Sequence, residues 1–429
     1  MSLRKFLFWT HLVCGLAAGL VIAFLCLTGI AIAFEHEILE YIDRDVARVE
    51  VPADQPTAPV ALLARAAIPS AASAGAIRTQ APPVPGAEFP VPSAESPFPV
   101  SSLRFPLSEL LAAVAAQRPD FKTTTVLAPR EPAAAYTFIA GRDGELYVNP
   151  YTGVAVEPRS HTAHDILHGL IYLHRWLALS NQPPLVGRLV TGIANLVLLV
   201  LCLTGLWLWF PRRLAARFLR PLLCFVPAYR GKARDLNWHN VLGFWSLPIV
   251  LVLVVTGVVI SFGWAHNLLF RAFGEKPPIH RDGRMLATPP KPLPAPPTPE
   301  APPLPLDVIH AQLLAAYPSA ESFAFNLPPP GPPAKPLAVA VFEPAAFSTR
   351  GRIQLELDPW SGAVLSQVGW ADRSPGLRAR IWVRFLHTGE AFGLPGKILA
   401  TLGSLAVLLV VWTGFALSWR RFFRRPHAP

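Results

Sequence analysis

The sequence predicts an α+β membrane protein: four transmembrane helices in two parallel repeats, each repeat carrying a small α+β domain outside the membrane. Three observations carry this reading. Four apolar runs are long enough to cross a bilayer, basic residues gather on one side of them, and an internal duplication covers nearly the whole chain. Composition points the same way, with 52% hydrophobic and only 15% charged residues among 429, against about 25% charged in a soluble domain. The 48 prolines and 28 glycines would suggest disorder if spread evenly, but the apolar residues are concentrated in long runs instead.

The chain opens with residues 1–11, a short basic tract. The spans are residues 12–34, 186–210, 241–262 and 398–419; at about 1.5 Å per residue each covers the roughly 30 Å hydrocarbon core. Ala31-Ile32-Ala33 resembles a signal-peptide cleavage site, but the run before it is about 22 residues, longer than the usual 7 to 15. It reads as a permanent helix. The tracts 1–11, 211–240 and 420–429 hold thirteen basic residues against the single acid Asp235, so both termini and the middle loop are cytoplasmic and the connections 35–185 and 263–397 lie outside. The net charge of +11 is thereby a topology signal, which argues against nucleic acid and for membrane lipids as its counterpart. Cys14, Cys26, Cys202 and Cys224 all fall in spans or the cytoplasmic loop, leaving no external disulfide, and the absence of Cys-x-x-Cys-His excludes covalent haem.

The duplication is read by laying the chain on itself. Trp9-Thr10-His11 enters the first span and Thr28-Gly29 closes it; Trp238-His239 and Thr256-Gly257 do the same in the third, with 18 residues from His to Gly in both. Outside, Pro106 to Pro119 and Pro305 to Pro318 match at a separation of 13. Val148-Asn149-Pro150-Tyr151-Thr152-Gly153 and Leu357-Asp358-Pro359-Trp360-Ser361-Gly362 each read as strand, tight turn and strand. Leu173-His174 and Leu386-His387 then lead into spans that end in Thr204-Gly205 and Thr413-Gly414. Two halves of one orientation are parallel repeats about a two-fold axis along the membrane normal. The apolar spacing of Leu107–Gln117 and Leu306–Tyr317 predicts helices, and Tyr136–Val156 and Leu337–Val364 alternate like strands. Pro82–Pro106, Pro289–Pro305 and Pro328–Pro336 read as extended linkers.

A helix followed by strands ending in Asp-Pro-x-Thr/Ser-Gly resembles the PepSY domain, here at about 100–160 and 304–368. The order of spans, domains, Trp238-His239 and Leu386-His387-Thr388-Gly389 is similar to the PepSY-associated transmembrane proteins, a family that includes bacterial inner-membrane ferric-siderophore reductases. Two departures are Asn149, where the motif has Asp, and the proline-rich insertions.

Histidine in a membrane helix is costly unless it faces the bundle and has a partner. The two-fold axis sets His11 facing His239 at the cytoplasmic end, and His174 facing His387 at the outer end. Neutral imidazole is a good axial ligand for haem iron, and bundles build such sites between facing helices. Two b-type haems are therefore expected, one per pair. Gly15, Gly19, Gly29, Gly205, Gly243, Gly257 and Gly414 either make room for the macrocycle or serve close helix packing. His36 and His266, 7 and 9 residues beyond their Thr-Gly, are the alternatives for the outer ligands. His161, His164 and His168 share one helical face, which also suits a metal ion, and His168 is a further cofactor candidate. Asn181-Gln182-Pro183-Pro184 and Gly393-Leu394-Pro395-Gly396 interrupt the chain after His174 and His387, placing these on a short helix at the outer rim. Trp207, Trp209, Trp245, Trp264, Trp412 and Trp419 read as an interfacial belt.

The expected function is transfer of electrons from the cytoplasmic to the periplasmic side of a bacterial inner membrane. The family resemblance implies a ferric siderophore as acceptor, reduced so that its iron is released. The cytoplasmic tracts are too short for a flavin or nicotinamide domain and no Gly-x-Gly-x-x-Gly follows a strand, so a quinol or a separate reductase is the donor. The rival reading is a haem-free regulator or binding protein that restrains a peptidase or senses an envelope ligand. A small transporter is disfavoured, because no acidic residue lies within a span.

Overall fold

The computed structural model describes residues 2–52, 104–141, 144–178, 185–211, 215–278, 280–281, 284–285, 292–298, 301–329, 331, 333, 335–345 and 351–423. Most of the Pro82–Pro106 linker, parts of the other two linkers, and the Asn181–Pro184 interruption lie outside the described residues. The chain divides into two compact units: one of Met1–Leu39, Thr162–Ala287 and Ser374–Pro429, and one of Glu40–His161 and Thr288–Arg373.

The first unit is helical. Its long helices are α1 (Leu3–Ile32), α5 (Leu185–Trp209), α7 (Gly231–Ser261) and α11 (Gly393–Phe422), each long and apolar enough to cross a membrane. Helix α1 packs on α5 and α11, and α7 packs on the same two, so α1 and α7 stand diagonally across a ring of four. Helices α1 and α7 begin some ten residues before the apolar runs do, because Arg4, Lys5, Lys232 and Arg234 are good helix formers and continue the helix past the hydrocarbon. Ile22, Ala194, Val250, Val254 and Val407 form a dry layer midway, while Leu20, Leu203 and Leu405 face outward as a lipid-bathed surface permits. Trp207, Trp245, Trp264, Trp412 and Trp419 are each more than half exposed.

Shorter helices accompany the four long ones: α4 (His161–Trp176), α6 (Ala216–Leu223), α8 (Gly263–Ala272) and α10 (Pro375–Thr388), while α2 (Glu35–Ala47) runs across the boundary between the two units. The Gly393–Gly396 segment is not the interruption that its composition suggests. It forms the first turn of α11, where a proline sacrifices no hydrogen bond. The break falls at Gly389, whose φ of +80° ends α10, followed by one 3-10 turn, Glu390–Phe392. Glycine then permits a close approach at two matched places. The backbone of Trp176 lies against Gly187, and the carbonyl of Gly389 against Gly396, where any Cβ would collide. These contacts fold α4 and α10 back onto α5 and α11, with His174 and His387 two residues before each contact.

The second unit holds α3 (Leu107–Gln117), β1 (Thr125–Pro129), β2 (Tyr136–Ile139), β3 (Glu145–Val148), β4 (Ala155–Val156), α9 (Leu306–Ala316), β7 (Ser322–Asn326), β8 (Leu337–Phe342), β9 (Arg352–Leu357) and β10 (Val364–Val368). A separate two-stranded pair, β5 (His280–Arg281) and β6 (Arg284–Met285), belongs to the first unit. The eight strands form one antiparallel sheet in the order β10-β9-β8-β7-β1-β2-β3-β4. Its centre is the β1–β7 pairing, with Thr125 opposite Asn326, Val126 opposite Phe325 and Leu127 opposite Ala324. Pro106 and Pro305 are 199 residues apart, and so are Val126 and Phe325: the central pair joins a position to its own counterpart. Ser108 and Asp307 are counterparts too. The Ser108 amide donates to Asp307 Oδ1 at 3.1 Å and its hydroxyl to Oδ2.

One face of this sheet buries Val126, Phe138, Leu146, Phe323, Phe325, Leu355 and Leu357 against Leu110 and Val114 of α3 and Ile309 and Leu313 of α9, a single continuous core. The turns leading to β4 and β10 are alike. The Tyr151 amide donates to Asn149 Oδ1 at 2.8 Å and the Trp360 amide to Asp358 Oδ1 at 3.1 Å, and Gly153 and Gly362 each follow at φ +72°. Asparagine therefore makes the same local bond as the aspartate it replaces.

His310 breaks the pattern within this core. Where the first copy has Leu111, His310 sets its ring 5.6 Å from Phe323 and 5.5 Å from Phe325. Burial, helped by the nearby Arg104 and Arg130 charges, pushes its pKa down to about 4. The unfolded chain takes up this proton near pH 6.5 and the folded chain only near 4, so the fold loses stability as pH falls between these values, by about 3 kcal/mol at most. Thermal unfolding of the full chain in detergent from pH 7.5 to 4.5 should show this decline. His310→Leu should remove a large part of it, and an equal decline in the variant would contradict the assignment.

Candidate functional site

Four histidines in the first unit share one local arrangement, built from two helices each. His11 on α1 places Nδ1 2.9 Å from Thr204 Oγ1 of α5. His174 on α4 places Nδ1 2.9 Å from Thr28 Oγ1 of α1. His239 on α7 meets Thr413 Oγ1 and Val410 O of α11, both at 3.1 Å. His387 on α10 meets Thr256 Oγ1 at 3.1 Å and Leu253 O at 2.9 Å, both of α7. Every Thr-Gly at the end of an apolar run is thus the partner of a histidine on another helix.

The glycine after each threonine has a distinct task. A Cβ at Gly29 would stand 3.3 Å from His174 Cε1, one at Gly205 3.2 Å from His11 Cε1, and one at Gly414 3.5 Å from His239 Cε1. At three of the four places, then, glycine seats an imidazole. The fourth, Gly257, is closed by Asn195, whose amide comes within 2.8 Å and whose Nδ2 donates to Val254 O at 3.0 Å. Gly19 receives Phe415 at 2.8 Å. A Cβ at Gly243 would meet nothing within 4 Å and one at Gly15 only Leu201 at 3.8 Å. These two stand one turn beyond His239 and His11, on the same helix faces.

His11 and His239 reach each other across the ring, with ring centres 6.3 Å apart and planes at 82°. Two imidazoles sharing one metal ion through bonds of about 2.0–2.1 Å have ring centres about 6 Å apart. With Nδ1 engaged on threonine, Nε2 is the atom left for such a bond. Among the described residues none of the four Nε2 atoms has a hydrogen-bond partner, and all four histidines lie between helices. At the other end, His174 lies within electrostatic reach of His387. From His11 to Thr28 along α1 the separation is about 25 Å, and the dry layer lies between. A bis-imidazole donor set with open space beside Gly243, and only the Leu201 side chain beside Gly15, fits a haem.

The remaining candidates are placed differently. His36 is exposed at the start of α2. His266 is buried on α8 with its ring 4.8 Å from Phe270. His161 Nε2 is 2.8 Å from Glu157 Oε2. His164 and His168 set their rings 6.4 Å apart, and His168, well exposed, is 3.9 Å from Glu35. The structure also brings forward residues that sequence reasoning passed over. Lys397, only 6% exposed, donates to both carboxylate oxygens of Glu37 at 2.7 and 2.8 Å. Arg188, at the matching place in α5, donates to Ser261 O at 3.1 Å. Their signal was available: each lies 16 residues before its Thr, in Thr204 and Thr413. At the ring's other end, buried Asp235 is held by Arg234 at 2.9 Å and Arg420 at 2.6 Å, and Arg4 donates to Leu208 O at 2.8 Å.

Residues 8–421 match the family model described as the PepSY-associated TM region, and the chain belongs to that family. None of the curated proteins matches it significantly.

The seating of the rings makes a prediction that needs no cofactor. Gly205→Val should drive a side chain into His11 and destabilise the full-length protein in detergent by about 1–3 kcal/mol. Gly243→Ala, which fills open space in a helix, should be neutral or stabilising by up to about 1 kcal/mol. Equal melting of the two variants would contradict these contacts.

Proposed function

We propose that this membrane protein is a two-haem electron carrier of a bacterial inner membrane, with both termini cytoplasmic and the α+β modules in the periplasm. Counterpart residues that meet each other, Val126 with Phe325 and His11 with His239, support two parallel repeats about an axis along the membrane normal. The basic tracts support the orientation. The observation that carries the cofactor reading is the 6.3 Å approach of His11 and His239 with both Nδ1 atoms turned away onto threonine.

His11 and His239 would hold one haem b near the cytoplasmic face, and His174 and His387 a second near the periplasmic face. Haem iron when bound supplies reversible one-electron transfer. The chain's own residues bind and orient. The threonines of the four Thr-Gly steps fix the imidazoles, Gly243 leaves room beside the inner pair, and the apolar layer around Ile22 and Val254 separates the two sites. No residue is required as general acid or nucleophile. The acceptor we assign is a ferric siderophore, on the family resemblance: one electron converts ferric to ferrous iron, which the chelator holds less tightly. The donor is a quinol or a separate cytoplasmic reductase.

The test is a dithionite-reduced minus oxidised spectrum of the full-length protein produced with ample haem. A b-type difference spectrum is expected. His11→Ala or His239→Ala should remove about half of it, and His174→Ala or His387→Ala the other half. No signal in the wild type would reject the redox reading in favour of a haem-free regulator, and an undiminished signal in His11→Ala would reject the inner site.

A further inference from the structure

We infer that Thr204 is a positioning residue that alone holds His11 in the tautomer with its proton on Nδ1, leaving Nε2 free to bind iron; the iron-binding half of this rests on the proposed haem reading, the tautomer half does not. The argument starts from proton bookkeeping. A threonine hydroxyl has one proton, and Thr204 Oγ1 spends it on Val200 O at 2.7 Å, one turn back in its own helix. Toward His11 Nδ1, 2.9 Å away, that oxygen can only accept, so the nitrogen must donate.

The other three seats obey the same rule. Thr28 donates to Phe24 O at 2.9 Å, Thr256 to Val252 O at 2.6 Å and Thr413 to Leu409 O at 2.8 Å. A helix threonine bonded to its own preceding turn is ordinary in itself. Here all four such threonines meet a histidine Nδ1 within 3.1 Å, which back-bonding does not require.

The four seats differ in what else holds the ring. Val410 O faces His239 Nδ1 and Leu253 O faces His387 Nδ1, and a carbonyl can only accept. His174 has the Leu25 backbone within hydrogen-bonding reach. His11 has the Thr204 hydroxyl as its one Nδ1 partner among the described residues. Removing a hydroxyl should therefore matter most at Thr204. An acceptor on Nδ1–H makes an imidazole a stronger donor to a metal and favours the ferric state.

The experiment compares full-length Thr204→Val, Thr204→Ser and Thr413→Val in detergent, measuring haem per chain, midpoint potentials, and ¹⁵N NMR of selectively labelled histidine. Thr204→Val should either weaken haem binding 10- to 100-fold at one site or raise that site's potential, with a tenfold change in the ferric-to-ferrous balance reading as about 59 mV. Thr204→Ser should behave as wild type, and Thr413→Val should move less, since Val410 O remains. The inference is overturned if Thr204→Val matches wild type in haem content and potential, if Thr204→Ser is as impaired as Thr204→Val, or if Thr413→Val is the worse. Should the wild type bind no haem, the proposed function fails and the NMR decides alone. A single Nδ1–H form at His11 that becomes mixed in Thr204→Val sustains the inference, and a mixed form already in the wild type overturns it.

Discussion

A polar ring placed between membrane helices must find both a hydrogen-bond partner and room, because lipid supplies neither. The pairing of each imidazole with the threonine of a Thr-Gly step on a neighbouring helix supplies the partner, and at Gly29, Gly205 and Gly414 the missing Cβ of the adjacent residue supplies the room. Much else in the helical unit follows from this. Helices α1 and α5 are tied at one end by His11 and Thr204, α7 and α11 by His239 and Thr413, and the opposite end repeats the scheme through α4 and α10. The layer around Ile22 and Val254 can then be largely apolar, with Asn195 at its edge satisfied by Val254 O.

The two matched halves of the sequence are not identical, and their differences are local. Gly257 seats Asn195 where its counterparts seat histidine. Arg188 caps the end of α7 through Ser261, whereas its counterpart Lys397 is buried on Glu37. His310 stands in the core of the α+β unit where the first half of the sequence has Leu111. Each change alters a partner while keeping the helix or strand that presents it, as expected when the backbone is held by many shared contacts and single side chains are free to diverge.

A good part of this was legible in the sequence. The spans, the helices after Pro106 and Pro305, and the two Asx-type turns follow from hydropathy, periodicity and turn chemistry, all local signals. Helix limits were not: a hydropathy run cannot see that Arg4 or Lys232 continue a helix, nor that Pro395 opens one. The histidines stood out because they recur at fixed offsets, but the threonine of each Thr-Gly read only as the end of a span and its glycine only as room for a macrocycle or for close packing, since the partner lies on a different helix. The joining of both α+β modules into one sheet was likewise invisible. The β1–β7 pairing links residues about 200 positions apart, and neither strand carries a mark that distinguishes an internal neighbour from an open edge.

That joined sheet also bears on how the protein behaves among other chains. Two separate four-stranded modules would present four unsatisfied strand edges, each a template on which another chain can add. Pairing β1 with β7 consumes two of them. The two that remain are poor templates: β4 is only two residues long, and β10 is broken by a register shift between Val364 and Ser366. Fusing the halves therefore guards the molecule against polymerising through its own backbone.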